Sequence, residues 1–178
     1  MKKIALLASI LLTSISAVVA QPQQSDLDQT RDKMTQKMET KMAGWQHRHG
    51  ALIQGSKDVI VELWSLPNRI VKVSIIQRSS VEDARERLSQ FAREEGGVEL
   101  LHGFGDEAYS WGDDGANIIF RRGKYTVYVA TTADVDRDSD SSTLTPQERH
   151  ARQASEMKRL SKQVAKEADD ALDSATKN

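Results

Sequence analysis

All nine aromatic residues of this chain, three each of Trp, Tyr and Phe, lie between Trp45 and Tyr128, and the segments on either side have none. Because large rings carry much of the apolar surface that a fold must remove from water, this asymmetry marks the core. The flanks, Asp26 to Ala43 and Pro146 to Leu172, are instead rich in Ala, Met, Lys, Glu, Gln and Arg, which lose little rotamer freedom on entering a helix. The pattern predicts a β-rich body at 45–132, an N-terminal helical segment at 21–44, an acidic linker at 133–145 and a C-terminal helix at 146–178.

Inside the body, Asp58 to Trp64 alternates Val59, Val61 and Leu63 against Ile60, Glu62 and Trp64, and Ile70 to Gln77 keeps the same two-residue period. Pro67 and Asn68 provide the turn of this hairpin, since proline presets the first central position and asparagine tolerates the second. The period then changes. Ser79 and Glu82 have capping-box spacing, and Val81, Ala84, Leu88, Phe91 and Ala92 recur every three or four residues until Gly96 and Gly97 end the helix. Three short strands follow, at Ala108 to Trp111, Ala116 to Arg122 and Tyr125 to Thr131, the last two joined by Gly123 and Lys124 as a tight hairpin loop. The expected class is α+β: an antiparallel sheet of about five strands with one covering helix, flanked by the two terminal helices.

The C-terminal helix has Thr145 as N-cap, Pro146 at its first position and Glu148 three residues after the cap. Its apolar stripe, Ala154, Met157, Val164, Ala168 and Ala171 with Leu160 and Leu172 beside it, is narrow. It needs a partner, for which the N-terminal face of Leu27, Met34, Met38 and Met42 is the natural candidate.

Residues 1–20 have the form of an export signal. Lys2 and Lys3 precede an apolar run from Ile4 to Val19, and Val18 and Ala20 suit a cleavage site before Gln21. This places the mature chain in the periplasm or outside the cell, and with no cysteine to acylate it has no lipoprotein anchor. A mature chain of 158 out of 178 residues can bury roughly 70% of its unfolded surface and needs no disulfide staple. The lack of cysteine also excludes thiol catalysis and zinc-thiolate sites. A net charge of −1, with basic residues dispersed through the chain, gives no footprint for nucleic acid.

Residues 101–131, LHGFGDEAYSWGDDGANIIFRRGKYTVYVAT, resemble a hairpin of uncharacterised bacterial secreted and lipoprotein domains, some of them Mog1/PsbP-like. The likeness lies in the Gly-x-Gly-Asp-Glu-Ala turn, here Gly103 to Ala108, in the tight glycine turn between two strands, and in a preceding helix of the VEDARERL kind. It spans about half of the mature chain. It implies an antiparallel sheet flanked by helices, carries no catalytic motif, and implies no particular ligand.

Three constellations bear on chemistry. Met34, Met38 and Met42 drift only about 80° around a helix, so three thioethers share a face, and His47 and His49 follow closely. Thioether with imidazole suits copper, although methionine on an amphipathic stripe also serves simply as a flexible core residue. His102, Asp106, Glu107 and Ser110 crowd one turn and could support hydrolysis. Their adjacency argues otherwise, because catalytic triads converge from separate elements and no nucleophile elbow is present. There Asp106 is expected to bond backbone amides across the Gly103 to Gly105 turn. Asp134, Asp136, Asp138 and Asp140 alternate like the start of a calcium loop, but Ser139 stands where the glycine belongs and Thr145 where the bidentate glutamate belongs.

The reading favoured by these residues is a non-catalytic periplasmic or secreted binding module, with an envelope protein or small ligand as partner, no resident cofactor and no membrane anchor after cleavage. A Met/His copper protein and a hydrolase at His102/Asp106 are the alternatives. Mass spectrometry of exported protein should find Gln21 at the amino terminus in the soluble fraction; retention of Met1 to Ala20 in membranes would refute the signal.

Overall fold

Every two-residue period in the sequence becomes a strand of one antiparallel sheet, and two strands that lack such a period extend it at both ends. The computed structural model describes residues 25–50, 57–112, 115–135 and 143–176. The expected signal at 1–20 and the linker residues Asp136, Asp138 and Asp140 lie outside the described residues.

The elements run α1 (Asp26–Lys41), β1 (Gln46–His49), β2 (Val59–Leu66), β3 (Arg69–Gln77), α2 (Val81–Glu95), β4 (Glu99–Leu101), β5 (Glu107–Trp111), β6 (Asn117–Arg122), β7 (Tyr125–Ala133) and α3 (Pro146–Thr176). The sheet has seven strands in the order β1-β2-β3-β7-β6-β5-β4, all neighbours antiparallel. The expectation of about five strands is therefore short by two. The additional strands are the two edges, β1 with sequence QHRH and β4 with sequence ELL. Neither is long or apolar enough to show a period, and each is ordered by pairing along one side only.

Register carries the core across the sheet in rows. Ile60, Ile75, Val127, Phe120 and Ala108 form one row, and Glu62, Val73, Val129, Ile118 and Ser110 the next. This face is closed by α1 and α3, which pack on each other as well as on the strands. Leu27, Met34 and Met38 from α1 and Leu160, Val164, Ala165, Ala168, Ala171 and Leu172 from α3 are buried there. The apolar stripe of α3 thus lies further along the helix than the sequence suggests, for Ala154 and Met157 are only half-buried. Lys33 Nζ donates to the Ser174 carbonyl at 3.1 Å, and Lys41 pairs with the buried Glu167, so the two helices are also tied by charge-assisted bonds. On the opposite face α2 covers β6 and β7, and Phe91, Trp111 and Tyr128 meet edge to face at 5.2 to 6.3 Å.

Helix starts follow local chemistry. Thr145 Oγ1 accepts from the Glu148 amide while the Glu148 carboxylate accepts from the Thr145 amide at 2.7 Å, the reciprocal box expected there. For α2 the box is displaced by one residue: Ser80, not Ser79, is the N-cap, and Asp83, not Glu82, reaches back to the Ser79 amide. No helix among the described residues is long and apolar enough to cross a membrane.

Because Val164 is fully buried and Met157 is not, a charge should be far more costly at the former. Val164→Asp is expected to lose on the order of 3 kcal/mol and Met157→Asp less than half of that, read from urea midpoints. Equal losses would contradict this packing.

Candidate metal centre at the sheet edge

On β2 the core-facing positions are Ile60, Glu62 and Trp64, so a carboxylate stands where the pattern calls for an apolar residue. Glu62 is 2% exposed and its cross-strand neighbour on β3 is Val73. Burying an ionised carboxylate among such side chains is costly unless it is paired. Its partners come from the edge: β1 is registered so that His49 faces Glu62 and His47 faces Trp64, and the two-residue period puts both imidazoles on the core-side face.

His47 Nε2 lies 2.7 Å from Glu62 Oε2, and His49 Nδ1 lies 3.0 Å from Oε1 and 2.9 Å from Oε2. Ligand atoms from all three residues fall within 4.8 Å of one another. Ligand bonds of 2.0–2.2 Å require neighbouring donor atoms about 3 to 3.5 Å apart, so small side-chain movements would admit a divalent ion. The His47 ring is stacked on Trp64, with centroids 4.9 Å apart and planes inclined by 19°, which fixes its orientation. His49 is different, with 70% of its side chain exposed, so the group opens to solvent on that side. Two imidazoles and a carboxylate suit borderline divalent ions, and three protein donors leave a coordination position free.

The thioethers belong elsewhere. Met34, Met38 and Met42 are buried members of the apolar cluster between α1, α3 and the sheet. The histidines of the anticipated Met/His set are thus gathered around Glu62, while the methionines occupy packing positions.

The group His102, Asp106, Glu107 and Ser110 is dispersed. His102 is exposed, Glu107 accepts from the Tyr109 hydroxyl at 2.8 Å, and Ser110 points to the face of the sheet opposite Glu107. Asp106 does bond a backbone amide, but of Gly123 in the β6–β7 turn at 2.9 Å and not within the Gly103 to Gly105 turn; it also pairs with Arg121 at 2.7 Å. The Gly105 amide instead donates to Asp169 of α3, whose other oxygen holds Arg122. Gly105 itself sits at φ 52°, and a Cβ there would overlap the Arg121 carbonyl oxygen and crowd Phe120 at 2.9 Å. The turn is therefore a clamp joining β5, β6 and α3. Of the aspartates compared above with a calcium loop, only Asp134 lies among the described residues, and its amide donates to the Asn68 carbonyl.

No protein-family model, no curated protein and no solved structure matches this chain.

Glu62 is not among the site residues expected from the sequence, although it carries a signal there: an acidic residue in phase with Ile60 and Trp64. If Glu62 is retained for a ligand and not for the fold, Glu62→Met should leave the metal-free protein within about 1 kcal/mol of wild type or stabilise it, since buried charge pairs are often no better than an apolar filling. A loss of several kcal/mol in denaturant titration would make Glu62 a purely structural residue.

Proposed function

We propose that the protein is an exported, non-catalytic α+β binding module whose ligand is a divalent transition-metal ion held by His47, His49 and Glu62. The observation that carries the reading is the burial of the Glu62 carboxylate, 2% exposed, with the two imidazoles of β1 as its hydrogen-bonding partners. A carboxylate beside Val73, between Ile60 and Trp64 on its own strand, contributes nothing that valine would not do better for packing. It becomes useful when its charge neutralises a cation. Among divalent ions, affinity at such nitrogen and oxygen donors rises toward copper(II), with zinc(II) close behind. Copper thus remains within the reading, but through imidazole and carboxylate and not through thioether. Export rests on the segment at 1–20 and fits the binding of metal outside the cytoplasm.

The test uses Trp64, which stacks on His47 and would be quenched by copper(II) bound at that ring. Copper(II) should quench the fluorescence saturably, zinc(II) should bind calorimetrically, and His47→Ala, His49→Ala and Glu62→Met should each weaken binding by tenfold or more. Indistinguishable titrations of wild type and the three variants would refute the site.

A further inference from the structure

We infer that the metal centre is shared between two copies of this chain, which pair edge to edge through β1 with an imidazole of one copy completing the shell of an ion held by the other. The inference rests on the metal reading above, and two features of the edge carry it. First, the three donors come from only two strands at the border of the sheet, and the group opens to solvent where His49 is exposed, the side from which a fourth ligand of a tetrahedral zinc(II) ion would come.

The second feature is the direction of the backbone. The Gly50 amide donates to the Val61 carbonyl at 2.7 Å, which makes Gly50 and Val61 a hydrogen-bonded pair. Such pairs alternate along an antiparallel ladder, so Arg48 with Leu63 and Gln46 with Ser65 also bond inward. The main-chain N–H and C=O groups of His47 and His49 therefore point away from β2, off the edge. Among the described residues no strand covers them. One antiparallel register between two β1 strands uses all of these groups at once: Arg48 opposite the partner's Arg48, with His47 opposite the partner's His49 and the reverse. Residues directly opposite in a sheet project to the same face with Cβ atoms about 5 Å apart. That register brings the partner's His49 beside the group formed by His47, His49 and Glu62.

It also sets two guanidinium groups against each other on the other face. The exposed Arg48 has no ion pair among the described salt bridges, and like charges directly opposite are unfavourable. Pairing is thereby disfavoured without metal and becomes favourable when an ion bridges the strands, so the ion acts as the switch for assembly.

Sedimentation velocity of the mature protein with zinc(II) chloride should show a monomer without metal and a dimer at one ion per two chains, reversed by EDTA. His49→Ala should abolish the dimer, Arg48→Thr should tighten it by roughly two- to fivefold, and His102→Ala should change nothing. A monomer that binds zinc(II) calorimetrically would overturn the shared centre while leaving the metal site intact. Absence of any zinc(II) binding would overturn the metal reading and this inference with it. A dimer that survives His49→Ala, or that is indifferent to Arg48→Thr, would mean cross-linking through other surface groups and would likewise overturn it.

Discussion

The sheet face that carries Trp64, Val73, Val127 and Phe120 is closed by helices drawn from opposite ends of the chain. Neither α1 nor α3 has an apolar stripe wide enough to be stable alone in water. Packed together over the sheet, they bury Met34, Met38, Leu160, Val164 and Leu172 to 2% exposure or less, each such side chain contributing about 1.5 to 3 kcal/mol. This contact joins the two termini of the described fold, and its polar fastenings follow the same line. Ser161 of α3 bonds Thr131 of β7 and the Ala116 carbonyl, Arg69 of β3 bonds Glu156 at 2.9 Å, and Asp169 bonds Arg122 and the Gly105 amide. These bonds satisfy most of the buried polar side chains on this face, although Trp64 Nε1 and Ser110 Oγ have no hydrogen-bond partner among the described residues.

Glu62 takes its meaning from that closure. The row His49, Glu62, Val73, Val129, Ile118, Ser110 crosses the sheet on the covered face, and the exposed His49 stands at its β1 end, next to Glu62. A carboxylate at the second place in the row is deep enough to be dry and near enough to the edge to meet exposed imidazole. The stack of His47 on Trp64 orients one donor, while the exposed His49 meets Glu62 from the solvent side. A stacked imidazole, a buried carboxylate and an exposed imidazole are the donors on which the proposed metal site rests.

Much of this architecture was legible in the residues, and the exceptions share a cause. Strands that bury a face, such as Val59–Leu66 and Tyr125–Ala133, announce themselves by their period. The Pro67-Asn68 turn and the capping box at Thr145 announce themselves by backbone chemistry that depends on two or three residues. The edges β1 and β4 do not, because a strand paired on one side needs no apolar face. The site was half visible for the same reason: His47 and His49 stood out as donors, but without β1 as a strand nothing linked them to Glu62, and sequence proximity joined them to Met42 instead. Asp106 shows the complementary limit, since its acceptor role was readable while its partner, the Gly123 amide, depended on sheet register.

X-ray absorption at the zinc edge of the metal-loaded protein separates imidazole and carboxylate ligation from thioether ligation. With His47, His49 and Glu62 as ligands, the spectrum is expected to show a shell of nitrogen and oxygen at about 2.0–2.2 Å with imidazole outer-shell scattering and no sulfur near 2.3 Å. A sulfur shell, or an all-oxygen shell without imidazole, would contradict this ligand set.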